Sequence, residues 1–206
     1  MIPTNARPKS ARRRAVATLG AAALLTVAAA NSADATTKIV TDTGWQSFIT
    51  AGGIGGASTA GPWTFTTGQV TKVTVTDAFC HGDEFRVLDG TTILGQTTDV
   101  VSEFPECPFT LFFPALARAD AALLDDGFSH GTFYLAPGSH ALEFENVALW
   151  SETSSGTGAF FRVDTVALTK ADCRDGGWAD YGTLFDNQGD CTKVANTVAS
   201  AVASAG

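Results

Sequence analysis

E-F-R-V-L-D-G-T-T-I-L, residues Glu84 to Leu94, is the stretch that decides the fold class. Phe85 and Val87 recur at every second position, the period at which a pleated strand sends side chains to one face. Asp89-Gly90 then offers the positive backbone dihedrals of a tight type I′ turn. Pairing around that turn sets Phe85 opposite Leu94 and Val87 opposite Thr92. The same period continues outward on both sides. Val73 and Val75 alternate with Thr74 and Thr76, Trp63 and Phe65 with Thr64 and Thr66, and Thr37 to Thr41 reads as a first strand. Downstream, Thr132 to Val147 reads as a second hairpin around Ala136-Pro137-Gly138-Ser139, with Phe133, Leu135, Leu142 and Phe144 inside and Glu143 and Glu145 facing water. Ala159 to Leu168 closes the set, Phe161 and Val163 on one face and Phe160, Arg162 and Asp164 on the other. Short alternating strands between turn residues predict an all-β domain.

Two segments escape this pattern. Thr97 to Ser129 is long for a loop and carries Pro105, Cys107, Pro108 and Pro114. Its second half, Ala115 to Leu124, suits a short helix begun by Pro114. Residues 171–191 form a Gly- and Asp-rich loop between cysteines, and 192–206 is Ala/Val/Ser-rich with Val194, Val198 and Val202 at helical spacing, which suits a frayed helix or tail.

The start of the chain speaks about location. Lys9 and Arg12 to Arg14 precede an apolar run from Ala15 to Ala30, and Ala33-Asp34-Ala35 follows as a small-x-small cleavage pattern. This order predicts a signal peptide over 1–35, a mature chain from Thr36, and export to the extracellular space. The run is too short and alanine-rich to anchor in a bilayer. The expected layout is therefore a leader (1–35), a β-sandwich (36–170), a cap (171–191) and a tail (192–206). The leader carries five of the 13 basic residues and one of the 21 acidic ones, which leaves eight against twenty and a formal charge of −12. Such a surface repels nucleic-acid backbones and anionic membranes. Neutral glycans, cations and cell-envelope material remain as partners.

Cys80, Cys107, Cys173 and Cys191 all fall in the mature part. In an oxidising compartment an even count predicts two disulfides, with three connectivities open. Sequence proximity favours Cys80 with Cys107 and Cys173 with Cys191. Zinc is the weaker alternative, because no C-x-x-C pair occurs.

Several motifs along the chain carry a resemblance. T-D-T-G-W (Thr41 to Trp45), G-P-W-T-F (Gly61 to Phe65), V-T-D-A-F (Val75 to Phe79), G-D-E-F-R-V-L-D-G (Gly82 to Gly90), S-H-G-T-F-Y-L-A-P-G-S-H (Ser129 to His140) and F-F-R-V-D (Phe160 to Asp164) occur in this order. From about Val40 to Val166 the chain thereby resembles a family of secreted β-sandwich proteins of unassigned function from bacteria and fungi. The resemblance implies a jelly-roll-like sandwich and no particular activity. The segment C-R-D-G-G-W…F-D-N-Q-G-D-C, Cys173 to Cys191, is similar to small cysteine-closed caps that end many exported bacterial proteins. A cap shared among unrelated partners implies no role in one reaction.

Candidate chemistry is sparse. G-x-S-x-G and H-E-x-x-H are absent, and G-G-I-G-G at Gly52 to Gly56 lacks the lysine of a phosphate loop. Ser129 and His130 are strand neighbours, so they point to opposite faces and make a poor nucleophile–base pair. Asp77, Asp83 and Asp89 bracket two turns and suit a structural calcium ion, which takes about six to eight oxygen ligands. Alternatively they cap the turns through backbone amides. Trp45 and Trp63 are expected in the core, with Trp178 and Tyr181 packing the cap. Trp150, before the polar loop Ser151 to Gly158, is the aromatic best placed to stack on a sugar. These features predict a secreted, non-catalytic β-sandwich that binds extracellular glycan or cell-surface material. The alternatives are a hydrolase using carboxylates of the 97–129 loop and a purely structural envelope protein.

Overall fold

A computed structural model describes residues 36–100, 116–151 and 156–204. The expected leader, Cys107, Glu103 and Glu106 lie outside them. Nine strands follow in order: β1 (Thr37–Lys38), β2 (Gln46–Ile49), β3 (Trp63–Thr67), β4 (Val70–Asp77), β5 (Glu84–Asp89), β6 (Thr92–Gln96), β7 (His130–Leu135), β8 (Gly138–Ala148) and β9 (Gly158–Val166). Helix α1 (Leu116–Ala122) precedes β7, and α2 (Gln188–Ser204) ends the described chain.

The strands form a five-stranded sheet, β1-β3-β8-β5-β6, and a four-stranded sheet, β2-β9-β4-β7. Their pairings are nested: β5 with β6, β4 with β7, β3 with β8 and β2 with β9 are all antiparallel neighbours. The chain is thus one long hairpin rolled up on itself, which is the jelly-roll arrangement. β4·β9 and β5·β8 seal adjacent turns of the roll, and β1 adds a parallel edge to β3. The fold is an all-β, jelly-roll-like sandwich with a disulfide-closed C-terminal cap.

Alternation places the core. Phe85 and Val87 of β5, Leu142 and Phe144 of β8, Val73 and Val75 of β4 and Phe161 of β9 are all fully buried between the sheets. Phe48 of β2 lies flat on Phe144, 4.1 Å between ring centres, with the Phe85 ring edge-on at 5.2 Å. Rings this well buried contribute about 1.5–3 kcal/mol each through apolar area alone.

Three expectations are corrected here. Thr132 to Val147 is not a hairpin, because β7 and β8 belong to opposite sheets. Leu135 and Leu142 face each other across the core instead of lying side by side. The β5–β6 register is shifted: Asp89 pairs with Thr92 and Leu88 with Ile93, with an irregularity between Val87 and Leu88. Gly90 (φ 58°) is then the first central residue of the turn, and Gly95 absorbs the slip where a β-carbon would meet the Phe133 ring at 2.6 Å. The first strand is only two residues long, since the chain after Ile39 leaves for the other sheet, Asp42 N–H donating to Val163 O at 2.9 Å. The stretch from 192, expected as a frayed helix or tail, is the body of α2, which begins inside the cap. Ala195 and Val198 are buried there.

Both halves of the four-stranded sheet's outer face are covered. Val70, Val166 and Tyr134 meet the cap, whose own core is Leu168, Phe185, Ala195 and the Cys173–Cys191 bridge. At the other end Phe160 and Ala78 pack under Ala119 and Ala122 of α1. Trp45 lies outside the central core, half-buried against the Ala78–Ala119–Phe160 cluster: its indole N–H donates to Asp120 Oδ1 at 3.0 Å, and the Arg162 guanidinium lies 4.8 Å over its ring. Trp63 is in the core as expected, and Trp178 and Tyr181 pack in the cap.

Candidate functional site

Two ends of the sandwich carry the residues of interest, separated by the length of β5. Asp83 precedes β5 and Asp89 ends it, six residues on and therefore about 20 Å away. The structure brings Asp77, Asp83 and Trp150 together at one end and leaves Asp89 at the other.

At the first end, period two turns Asp77 inward after Val73 and Val75, and Asp83 inward before Phe85. Both residues are fully buried. Asp77 Oδ1 accepts the Phe79 amide at 2.9 Å, while among the described residues its Oδ2 has no hydrogen-bond partner. Burial pushes the Asp77 carboxyl well above the ordinary carboxylate range; the Phe79 amide opposes this and the Asp83 charge adds to it. Asp83 Oδ1 accepts the Trp150 amide at 2.7 Å, and Oδ2 accepts the Thr157 hydroxyl. Burial raises this carboxyl too, with the Thr157 and Trp150 donors pulling it down. Asp83 thus ties both sides of the β8–β9 connection to β5. Thr97 and Ser129 complete the buried polar layer: Thr97 Oγ1 donates to Ser129 Oγ at 3.0 Å, and Ser129 Oγ donates to Asp83 O. The Ser129 hydroxyl is therefore fully engaged, and His130 faces elsewhere, its Nδ1 3.1 Å from Phe128 O.

Trp150 is 36% exposed and held by its backbone at the Asp83 carboxylate. Asp125 and Asp126 stay on the surface; Asp125 Oδ2 lies 4.0 Å from His81 Nε2. Glu84, pointing away from Asp83, accepts Gln96 Nε2 and the Val100 amide, both at 3.0 Å. Burial raises its carboxyl, the Val100 amide opposes, and neighbouring Asp99 adds to the rise. Among the described residues no three His, Cys, Asp or Glu side chains are grouped to hold a metal ion. Cys80 is disulfide-bonded; its expected partner Cys107 is not among the described residues.

At the second end Asp89 belongs to a different arrangement. Its Oδ2 lies 2.8 Å from His140 Nδ1, and its Oδ1 accepts the Ala141 amide at 2.8 Å. His140 Nε2 lies 2.9 Å from Ala136 O. Both ring nitrogens face oxygen atoms, so the ring is held at two points. This pair locks the β5–β6 turn to the start of β8. Beside it a groove of about 690 Å³ opens on the outer face of the five-stranded sheet. Thr64 to Thr66 and Ser139 to Ala141 line it, together with Lys38 to Thr41 and Asp89-Gly90.

Sequence reading missed this groove. Its signal was present in the outward members of T-x-T at Thr64 and Thr66 and of S-x-A at Ser139 and Ala141, but nothing local says that β3 and β8 are neighbours. Asp89 as a partner of His140, 51 residues away, was equally hidden. Compared with family models, curated proteins and solved structures, the chain matches none.

Proposed function

We propose that this chain is an exported, non-catalytic binding module that uses the outer face of its five-stranded sheet to hold extracellular glycan. The leader pattern over 1–35 and the disulfide Cys173–Cys191 support export. One observation carries the binding reading: the cap and α1 cover the four-stranded sheet, whereas no described helix packs on the five-stranded one. Among the described residues that face is hydroxylated, through Thr64, Thr66 and Ser139. Hydroxyls both donate and accept hydrogen bonds, and so do the hydroxyls of sugars.

Retention of the mature protein on a panel of insoluble polysaccharides and on whole cell envelopes tests the proposal. Binding to at least one polysaccharide, without release of soluble sugar, is expected. Absence of retention on every member of both sets contradicts it, and steady release of sugar would favour the carboxylate hydrolase.

A further inference from the structure

Resting on the reading that this chain binds glycan, we infer that the groove over β3 and β8 is the binding site and that it takes a neutral polysaccharide chain laid across the strands. Shape is the first reason. The floor residues Thr64, Thr66, Ser139 and Ala141 are small, while Lys38 and the Asp89-Gly90 turn border it on β1 and beside β8. From β1 across β3 and β8 to the turn is three strand spacings, about 14 Å. This is the reach of a short oligosaccharide lying crosswise, longer than one sugar ring.

Chemistry narrows the class. Thr66 Oγ1 and Ser139 Oγ stand 3.0 Å apart, so one hydroxyl gives its hydrogen to the other and one hydrogen is left for a ligand. The Thr64 hydroxyl enters no hydrogen bond among the described residues. Lys38 enters no ion pair there either, and its ammonium is a triple donor at the rim. The one carboxylate in the lining, Asp89, has both oxygens engaged, Oδ2 at 2.8 Å from His140 Nδ1 and Oδ1 by the Ala141 amide at 2.8 Å. The groove therefore offers donors and acceptors without the free acid that would repel a sugar acid at close range. The whole mature chain, with eight basic against twenty acidic residues, repels polyanions at longer range. A neutral, hydroxyl-rich polymer fits both conditions.

The floor is also held in advance of binding. His140 lies beneath it against the Phe65 ring, 5.0 Å between ring centres, tied at both nitrogens. A ligand meeting such a floor loses little freedom in the protein.

The experiment compares the mature protein with Thr66→Leu/Ser139→Leu, Lys38→Ala and Trp150→Ala on neutral β-glucan, xylan and mannan and on polygalacturonate. Both leucines sit at exposed strand positions, and an unchanged melting curve confirms that each variant is folded. The double variant is expected to weaken retention on a neutral polymer at least about tenfold, because it removes two hydroxyl partners and fills the floor. Lys38→Ala weakens it severalfold, and Trp150→Ala leaves it intact. Undiminished binding by the double variant, or loss only in Trp150→Ala, overturns the groove while leaving glycan binding standing. Preference for polygalacturonate overturns the neutral class. Retention on nothing overturns glycan binding itself.

Discussion

Asp77 sits where alternation sends a side chain into the core, yet it is a carboxyl with one oxygen unpartnered among the described residues and a second carboxyl, Asp83, beside it. Isolated buried charge is costly, and the group responds by holding its proton. The sign of the pH effect follows. Because the folded carboxyl titrates above its ordinary value of 3.8, its protonated form contributes stability that is fully present below 3.8. That stability is lost progressively as pH rises toward the raised folded value. Asp77→Asn keeps an oxygen for the Phe79 amide and has no charge to bury. We expect the variant to be more stable than the parent at neutral pH, on the order of 1–3 kcal/mol, with the gap closing toward pH 4. Urea midpoints at several pH values check this, and a variant less stable at neutral pH would contradict it. Added calcium is expected to leave the parent's melting curve unchanged. At this scale the sequence was half legible: Asp77 does accept an amide two residues on, as a turn cap does, but its burial and its proximity to Asp83 depend on β4 and β5 lying in facing sheets.

The strands themselves were legible because each carries its own period. Trp63/Phe65, Val73/Val75, Phe85/Val87 and Phe161/Val163 all point into the core as alternation requires. Pairing was less legible, since period two names a face and not a neighbour. Pro137 and Gly138 mark a sharp connection equally well within a sheet or between two sheets, and the β7–β8 hairpin was misread for that reason. Core aromatics give a direct check at this level. Phe48→Ala, which removes a ring packed on Phe85 and Phe144, is expected to cost about 3–5 kcal/mol. A loss under 1 kcal/mol would contradict that packing. The cap is a separate element with a separate test. Cys173 and Cys191 close a segment of sequence separation 18, worth about 3 kcal/mol in the chain-entropy account. Cys173→Ser/Cys191→Ser is expected to raise amide exchange throughout residues 171–204 and to bare Val70 and Val166 to a hydrophobic dye, while amides of β3 and β8 stay protected. Uniform loss of protection across both would show that cap and sandwich unfold as one unit.

Over the whole molecule the nested hairpin makes two faces and the chain then treats them unequally. Segments outside the roll, α1 and the cap with α2, are both spent on the four-stranded sheet. The five-stranded face keeps a salt bridge between Arg86 and Glu145 at 3.1 Å, the hydroxyl pair of Thr66 and Ser139, and the groove. That inequality was invisible to sequence reading, because it depends on which sheet each strand joins. It is the central claim about function, and amide chemical-shift mapping of the mature protein, titrated with soluble fragments of a polysaccharide that retains it, tests it most directly. Perturbations are expected to cluster at Lys38, Thr64, Thr66, Ser139 and Gly90, on the five-stranded face. Clustering instead at Trp150 and Thr157, at the end held by Asp83, would contradict the claim and move the binding site to the loops.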